Sequence, residues 1–256
     1  MTKRLLALLA VVFASLTGTA VAQPSIVGGT DADQPYPFAV SLHTSSGKLF
    51  CAGALISPAW VVTAAHCVFA KKPAEILARI GTNDSGQGGE TAQLAEVVVN
   101  PVFDPNVPAA DIALIRLAMP VKAAAPIALG AAPTPGTATR LLGWGQTCPT
   151  LNCGKIPTVL QQLDSHVVEG AKCTAKFDGT AELCTDNPGG AAGSCYGDSG
   201  SPEITREADH WLLVGVTSRP GNDSPVCATA PSIYTSVPAY AAWLTEKTAP
   251  PAPPRP

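Results

Sequence analysis

Residues 197–202 read Gly-Asp-Ser-Gly-Ser-Pro (GDSGSP), which places Ser199 between two glycines. Glycine adopts the backbone conformations that tight turns require, so the segment predicts a turn that exposes a serine hydroxyl and neighbouring backbone N–H groups. A serine hydroxyl is a poor nucleophile at neutral pH unless a base removes its proton during attack. The N–H groups of Gly197 and Ser199 are candidates for stabilising the oxyanion that such an attack creates.

Two earlier segments contain the partners that a nucleophilic serine needs. The segment 63–67 (TAAHC) contains His66, and the segment 111–114 (DIAL) begins with Asp111. Imidazole suits the role of base because its unperturbed pKa is about 6.5. A buried carboxylate holds the correct imidazole tautomer and stabilises the imidazolium. The three segments together predict Ser199 as nucleophile, His66 as general base and then acid, and Asp111 as the orienting carboxylate.

Each of these segments also has an ordinary structural interpretation. A histidine in an apolar stretch is often a satisfied core residue, an aspartate can simply begin a strand, and GDSG can be a surface turn. Their joint occurrence, in the order histidine, aspartate, serine, is far more specific than any one of them.

The rest of the chain has an all-β pattern. Short apolar and β-branched runs alternate with clusters of Gly, Pro, Asn and Asp, as in sandwiches and barrels. One late helix is predicted over 238–247, where proline stands in the first turn. The Pro-, Ala- and Gly-rich stretch 123–136 is the natural linker between two β units. The predicted strands are 39–42, 53–56, 60–63, 93–99, 112–117, 138–143, 212–217 and 233–237.

Both ends of the chain differ from its middle. Residues 1–22 have two early positive charges, an apolar run too short to span a bilayer, and a final Ala-Val-Ala, which is the form of a secretory signal peptide. Residues 23–25 would then be a short pro-segment. The Pro-rich segment 248–256 predicts an extended, flexible tail. We therefore expect a secreted, extracellular protein with no membrane anchor.

Composition excludes several function classes. The net charge is −3 and Lys and Arg form no cluster, which argues against a nucleic-acid partner. In a secreted chain, eight cysteines predict disulfides, and 105 pairings remain open from the residues alone. Cysteine and histidine spacing is unlike that of zinc sites, so no metal and no cofactor are predicted. The loop 83–90 is a calcium-site alternative, but a solvated Gly-rich turn is favoured because carboxylates are few.

The three segments together closely resemble the trypsin and chymotrypsin family of secreted serine endopeptidases. The resemblance covers about 26–247 and includes Ile26-Val27-Gly28-Gly29, which matches the mature N-terminus of the family. It implies two six-stranded antiparallel Greek-key β-barrels, one over about 26–130 and one over about 136–237, followed by the C-terminal α-helix. The active site would lie in the cleft between the barrels.

The same resemblance implies zymogen activation. Cleavage after Ser25 would free the α-amine of Ile26, which would pair with Asp198 and order the loop beside Ser199. Digestive members of the family have Lys or Arg before the new N-terminus, whereas this chain has Gln23-Pro24-Ser25. Self-activation by a trypsin-like cut is therefore not expected, and a different protease would have to remove residues 23–25.

The resemblance also implies a set of disulfides. It pairs Cys51 with Cys67 beside the histidine, Cys173 with Cys184, and Cys195 with Cys227 across the specificity pocket. Cys148 and Cys153 remain, and their pairing would close a very small loop.

Specificity residues follow from the same comparison. Trypsin-like members have Asp six residues before the nucleophile, where this chain has Gly193, followed by Ser194. A neutral floor favours apolar rather than basic substrate side chains. The family usually has Ser-Trp-Gly where this chain has Ser218-Arg219-Pro220, and Ser232 replaces a glycine of the second wall. Pro220 would narrow the pocket and favour small or medium apolar residues, unless the register slips by one residue towards Gly221.

Two other classes of function remain. A catalytically inactive homologue could act as a binding module, although the intact triad argues against it. A serine esterase of the α/β-hydrolase type would have the nucleophile before the acid and the histidine, in a GxSxG motif that is absent here. The predicted partners of a peptidase are protein or peptide substrates, with a protein inhibitor as a further candidate, and the expected state is a monomer.

Overall fold

The computed structural model describes residues 26–107 and 110–250. The predicted signal peptide (1–22), the pro-segment (23–25) and the end of the Pro-rich tail lie outside these residues. The described part contains fourteen strands and two α-helices: β1 (Thr30–Asp31), β2 (Ala39–Thr44), β3 (Leu49–Ser57), β4 (Trp60–Thr63), α1 (Ala65–Val68), β5 (Ile76–Ile80), β6 (Glu90–Val99), β7 (Ala113–Leu117), β8 (Ala128–Leu129), β9 (Ala138–Gly143), β10 (Gln161–His166), β11 (Glu182–Thr185), β12 (Pro202–Glu207), β13 (His210–Pro220), β14 (Ser232–Ser236) and α2 (Ala241–Thr248).

The first barrel consists of β2 to β7. Its strands pair in the order β2-β3-β4-β7-β6-β5, and the barrel closes because β5 also pairs with β2. All of these pairings are antiparallel. Strand β5 shows the alternation that a half-buried strand requires, since Ile76, Ala78 and Ile80 are buried while the residues between them are partly exposed.

The second barrel is built from β9 to β14 without any strand of the first barrel. Its strands pair in the order β10-β9-β12-β13-β14-β11. A single antiparallel bridge between Val167 and Thr185 joins the end of β10 to β11 and closes the ring. The predicted all-β fold of two six-stranded antiparallel barrels is thereby confirmed.

Two short strands depart from the predicted division of the chain at about residue 130. Strand β1 pairs with β10, and β8 pairs in parallel with β13, so both belong to the sheet of the second barrel. Each lies within 26–130, the range that the sequence predicts for the first barrel. The chain therefore crosses between the barrels before the Pro-, Ala- and Gly-rich linker ends.

The two barrels share one apolar core. Leu142, Trp144 and Leu160 of the second half pack in the same cluster as the strands of the first barrel. Trp144 is buried, and its Nε1 donates a hydrogen bond to the carbonyl of Asn83 at 3.1 Å. Because this interface is packed and hydrogen-bonded, it fixes the relative position of side chains that face the cleft from either side.

The chain ends in a short helical segment. Pro238–Tyr240 form a 3-10 turn, and α2 follows from Ala241 to Thr248. The helix predicted over 238–247 is therefore present, with a tighter first turn. None of the described residues forms a helix long and apolar enough to cross a membrane.

Four disulfides connect the loops, and they are the four pairs considered above. Cys51–Cys67 ties β3 to α1, and Cys195–Cys227 joins the segment before Ser199 to the loop between β13 and β14. The other two are Cys173–Cys184 and Cys148–Cys153. A native bridge in a secreted domain typically contributes about 2–5 kcal/mol to stability.

Candidate active site

The candidate base lies on a short helix at the edge of the first barrel. His66 is the second residue of α1, directly after β4, and its imidazole is partly exposed to the cleft. Its backbone N–H donates to Oδ1 of Asp111 at 2.9 Å, and its Nδ1 lies 2.7 Å from Oδ2 of the same residue. Since an ionised carboxylate only accepts, Nδ1 carries a proton, and in a neutral ring Nε2 is then the nitrogen that accepts.

Asp111 is only 5% exposed. Burial alone would raise its pKa, but hydrogen bonds from His66, the charge of His66 and a bond from Ser218 outweigh burial, so the pKa is lowered. The Ser218 hydroxyl donates to Oδ2 at 2.7 Å. Thr235 also donates to the Asp111 carbonyl at 2.9 Å. The carboxylate therefore stays ionised and is held in one orientation.

The candidate nucleophile occupies a tight turn of the second barrel. Gly197 and Gly200, on either side of Ser199, have φ values of 99° and 77°, a region that favours glycine. A Cβ on Gly200 would lie 2.4 Å from the Ala52 carbonyl, so no larger residue fits against the first barrel. The Ala52 N–H in turn donates to the Ser199 carbonyl at 2.8 Å. The turn is thus anchored across the barrel interface.

Asp198 holds this turn from inside. Its Oδ1 accepts from the Gly145 N–H at 2.7 Å, and its Oδ2 accepts from the Cys195 N–H at 2.9 Å. The carboxyl is almost fully buried, and burial raises its pKa to about 7, against the lowering effect of these two bonds. A positive charge placed beside this carboxyl would offset the effect of burial and stabilise its ionised form.

The N–H groups of Gly197 and Ser199 have no hydrogen-bond partner among residues 26–107 and 110–250. Buried or half-buried backbone donors are nearly always paired, so two free donors beside a serine are available to a ligand. Both N–H groups belong to the turn that Asp198 holds.

A cavity of about 220 Å³ opens beside Ser199. Of the predicted specificity residues, Ser194, Ser218 and Pro220 line it, whereas Gly193 and Ser232 do not. Ser232 lies directly behind the wall, where its Oγ is 3.0 Å from that of Ser194. The lining contains no acidic side chain, and it consists of Ser194, Cys195, Tyr196, Ser199, Thr217, Ser218, Arg219, Pro220, Ser224 and Cys227.

A wider groove of about 520 Å³ lies next to this cavity on the side of His66. One wall is aromatic, with Phe69 and Phe103 in contact at 5.5 Å between ring centroids. The other wall includes Lys176 and Arg219. Arg219 and Ser218 line both spaces, so they form the partition between them.

Comparison with known proteins fits this arrangement. A family model described as Trypsin matches residues 26–244. The chain is also similar to a protein named Trypsin from Saccharopolyspora erythraea, with 35% identity over 237 residues that cover 87% of this chain and 97% of that protein.

The chain belongs to the trypsin family. It is therefore a serine endopeptidase in the general sense, and proteins are the substrate class of this family. The matched region begins at Ile26, the residue at which the predicted mature chain starts.

The start of this trypsin-family domain is docked against the second barrel. Ile26 is buried next to Leu141 and Tyr234. The Gly193 N–H donates to the Val27 carbonyl at 2.9 Å. The segment thus lies against the stretch that leads to Asp198.

The described residues contain one group of potential metal ligands, Cys51, His66 and Cys67. The two cysteines are bonded to each other, so neither offers a thiolate. In the calcium-site alternative, Asp84 accepts from the Gly86 N–H at 2.8 Å and from the Gln87 side chain at 2.9 Å. That carboxylate is committed to its own loop.

Sequence reasoning missed several residues of the cleft. Tyr196, Thr217 and Ser224 line the cavity, and the aromatic wall of the groove contains Phe69 and Phe103. For Ser224 alone the sequence gives a signal, because it lies between Pro220 and Cys227, two residues predicted to flank the cavity. The aromatic residues come from loops of the first barrel that have no motif.

Proposed function

We propose that Ser199, His66 and Asp111 are the catalytic triad of a secreted endopeptidase that cleaves after apolar residues. The observation that carries this proposal is the set of bonds in which Asp111 accepts from the His66 backbone, the His66 ring and Ser218. In a neutral ring these bonds put the proton on Nδ1, so Nε2 is the nitrogen that can accept one, as a general base requires.

The reaction follows from these assignments. Ser199 Oγ attacks the substrate carbonyl carbon while Nε2 of His66 takes the hydroxyl proton. The resulting oxyanion accepts hydrogen bonds from the N–H groups of Gly197 and Ser199. The C–N bond then breaks, and the imidazolium returns the proton to the leaving amine. Water, deprotonated by the same nitrogen, hydrolyses the acyl-enzyme and regenerates Ser199.

The cavity beside Ser199 has no acidic residue in its lining, which supports a preference for apolar over basic substrate side chains. Arg219 is the one charged residue in its lining, and its charge is already paired with Glu182, so no group in the lining attracts a Lys or Arg side chain. Ser194 and Ser218 contribute polarity without charge, and Pro220 forms part of the wall. Burying an apolar side chain in such a space is worth about 1.5–3 kcal/mol.

Activation by a new N-terminus is part of the proposal. The Ile26 α-amine, freed by cleavage after Ser25, would pair with Asp198. Two observations support this: Ile26 is buried, and the Asp198 carboxyl is buried without a cationic partner among the described residues. An amine there would favour the ionised carboxylate and hold the turn that presents Gly197 and Ser199.

The proposed location is extracellular, and the proposed state is a monomer. Four disulfides are typical of an oxidising compartment, and the first 22 residues have the form of a signal peptide. Protein or peptide substrates and a protein inhibitor are the proposed partners, since both would occupy the same cleft.

An inactive homologue that only binds peptides is the second candidate. Two variants separate it from a peptidase: Ser199→Ala, and Ser201→Ala as a matched control in the same segment. We expect the chain that begins at Ile26 to cleave a peptide library with an apolar preference, Ser199→Ala to be inactive, and Ser201→Ala to cleave. Library cleavage by Ser199→Ala at the parent rate would refute the triad. A strong preference for Arg or Lys would refute only the pocket assignment.

A further inference from the structure

Arg219 stands where the family usually has tryptophan, and it is held on several sides. Its Nη1 and Nη2 atoms lie 2.5 Å and 2.9 Å from the two carboxylate oxygens of Glu182. Its guanidinium also donates to the carbonyls of Ala175 and Lys176 at 3.2 Å. The Arg219 side chain is 14% exposed and that of Glu182 is 2% exposed, so this is a largely desolvated, two-pronged ion pair.

Nη1 of Arg219 also lies 3.5 Å from Oγ of Ser218. An arginine has no acceptor, and the Asp111 carboxylate has no donor. The single proton of Ser218 must therefore go to Asp111, while a lone pair of the same oxygen faces Arg219. A continuous row of contacts thus runs from Glu182 through Arg219, Ser218 and Asp111 to His66.

We propose that Arg219, fixed by Glu182, is a positioning residue of the triad: it keeps the Ser218 hydroxyl directed at Asp111 and places a positive charge behind that carboxylate. This inference rests on the proposed triad. Arg219 would act through Ser218, and it need not touch the substrate to do so. Arg219 and Glu182 carry opposite charges, so removing one or the other changes the electrostatic potential at the triad in opposite directions.

Other charges face this row, and they are constant in the variants considered below. The Tyr240 phenol is neutral at working pH, since burial and then the charges of Glu182, Asp178 and Asp111 raise its pKa. The Asp178 N–H donates to Glu182 at 2.9 Å. The remaining charged groups line the groove next to Arg219: Lys176, Asp104 and Asp223.

The test compares Arg219→Met with Arg116→Met. Arg116 forms an exposed ion pair with Glu96 on the first barrel, so it controls for the loss of one Arg–Glu pair. We expect Arg219→Met to lower kcat about five- to tenfold with KM within about twofold. The reason is that the hydrogen bond from the Ser218 hydroxyl to the Asp111 carboxylate is weakened. Arg116→Met should leave both constants unchanged. A higher KM with unchanged kcat would show that Arg219 is only a wall of the groove, and would overturn the proposal.

The pH dependence of kcat/KM distinguishes a positioning role from a packing role, because a loss of packing alone would not shift it. We expect the acid limb of kcat/KM to move up by about half a pH unit in Arg219→Met and down by a similar amount in Glu182→Gln. In a Ser218→Ala background, adding Arg219→Met should lower kcat by less than a further twofold, because the hydroxyl through which Arg219 acts on Asp111 is already absent. The proposal would be overturned if the acid limb moved in the same direction in Arg219→Met and Glu182→Gln. It would also be overturned if the effects of Ser218→Ala and Arg219→Met on kcat were fully additive.

Arg219→Met leaves the Glu182 carboxylate buried with one N–H partner, which can prevent folding. The double variant Arg219→Met/Glu182→Met removes both charges and keeps similar volumes. It should fold and still show the loss of kcat, and parent kcat in this variant would overturn the proposal. If Ser199→Ala is inactive while all Arg219 variants behave like the parent, this inference fails and the proposed triad stands.

Discussion

The hydroxyl oxygen of Ser218 lies 2.7 Å from Oδ2 of Asp111, the same oxygen that faces Nδ1 of His66 at 2.7 Å. Asp111 is contributed by the first barrel and Ser218 by strand β13 of the second. The orientation of the candidate base therefore depends on a contact across the barrel interface. Any change in the relative position of the two barrels should therefore change the orientation of the His66 imidazole through this hydrogen bond.

Asp111→Asn should leave the fold intact and remove most activity. If the amide nitrogen takes the place of Oδ2, it faces the Ser218 donor and forces Nδ1 of His66 to accept, which puts the proton on Nε2. If it takes the place of Oδ1, it faces the His66 backbone N–H. We expect kcat to fall by about 10⁴-fold, the magnitude known for a Ser-His-Asp triad, measured on a peptide ester or amide.

The control for that variant is Asp164→Asn, which removes an exposed carboxylate that pairs with Arg140 on the second barrel. It should retain parent activity. Asp111→Asn with more than a tenth of the parent kcat would contradict the role assigned to Asp111.

Activity should decline at alkaline pH as the Ile26 amine loses its proton. A free α-amine has a pKa of roughly 7.7–8.0, and pairing with the buried Asp198 carboxylate raises it. The stabilising charge is thus present below that pKa and is lost as pH rises through it. A chain that begins at Ile26 should show this decline in kcat/KM between about pH 8 and 10, the range that this raised pKa implies.

A chain that begins at Gln23 should be at least about tenfold less active at pH 7.5. Its Ile26 nitrogen is part of a peptide bond and carries no charge, so it cannot pair with Asp198. Equal activity of the two chains would refute the pairing. Both chains need the same disulfide content for this comparison, which a thiol assay checks.

Glu203 should make the protein less stable as pH rises. Its side chain is buried inside the second barrel, where Oε1 accepts from Thr185 at 2.8 Å, and burial raises its pKa from 4.5 to about 7. An acid whose folded pKa is raised contributes stability that is fully present below pH 4.5 and is lost as pH rises through about 7. Glu203→Gln should therefore be more stable than the parent at pH 8, by about 3 kcal/mol.

Urea unfolding at pH 5 and pH 8 measures this difference. The gain should be small at pH 5, and the exposed Glu207→Gln on the same strand should change neither value. A gain of the same size at both pH values would mean that packing, and not the buried charge, explains the effect.

Gly193→Asp should redirect the specificity pocket towards basic residues. A Cβ at this position would lie 3.6 Å from Oγ of Ser232 and 3.8 Å from Ala228, so there is space for a side chain. The φ of 157° at Gly193 strains any residue other than glycine, so both variants at this position should be less stable than the parent. We expect the ratio of kcat/KM for Arg over Leu at the cleaved bond to rise at least about 100-fold. Gly193→Asn, which has the same size without the charge, should not produce this change. An unchanged ratio in Gly193→Asp would show that Gly193 does not face the substrate.

Much of the fold could be predicted because apolar strands carry a local signal. The eight predicted strands correspond to β2, β3, β4, β6, β7, β9, β13 and β14. Strand β5 was not predicted, although its alternating burial is an ordinary strand pattern. Strands β10 (QQLDSH) and β12 (PEITRE) carry no apolar signal, because the second barrel buries polar residues such as Gln161 and Glu203.

Some residues of the candidate site are likewise indicated by a local motif, and others are brought there only by the fold. Ser199, His66 and Asp111 lie in short motifs whose residue types are dictated by chemistry, so a single sequence indicates them. The contact between Arg219 and Glu182 joins residues 37 positions apart in sequence, and no local pattern signals it. Gly193 is likewise not among the residues that line the cavity, and that outcome depends on how two loops pack.

The most direct test of the triad is the reaction of the chain that begins at Ile26 with diisopropyl fluorophosphate, followed by peptide mass mapping. The account predicts a single phosphoryl adduct on Ser199, which is lost in His66→Ala because the base that activates the hydroxyl is gone. No adduct on Ser199 in a preparation that cleaves peptides, or an adduct on a different serine, would contradict it.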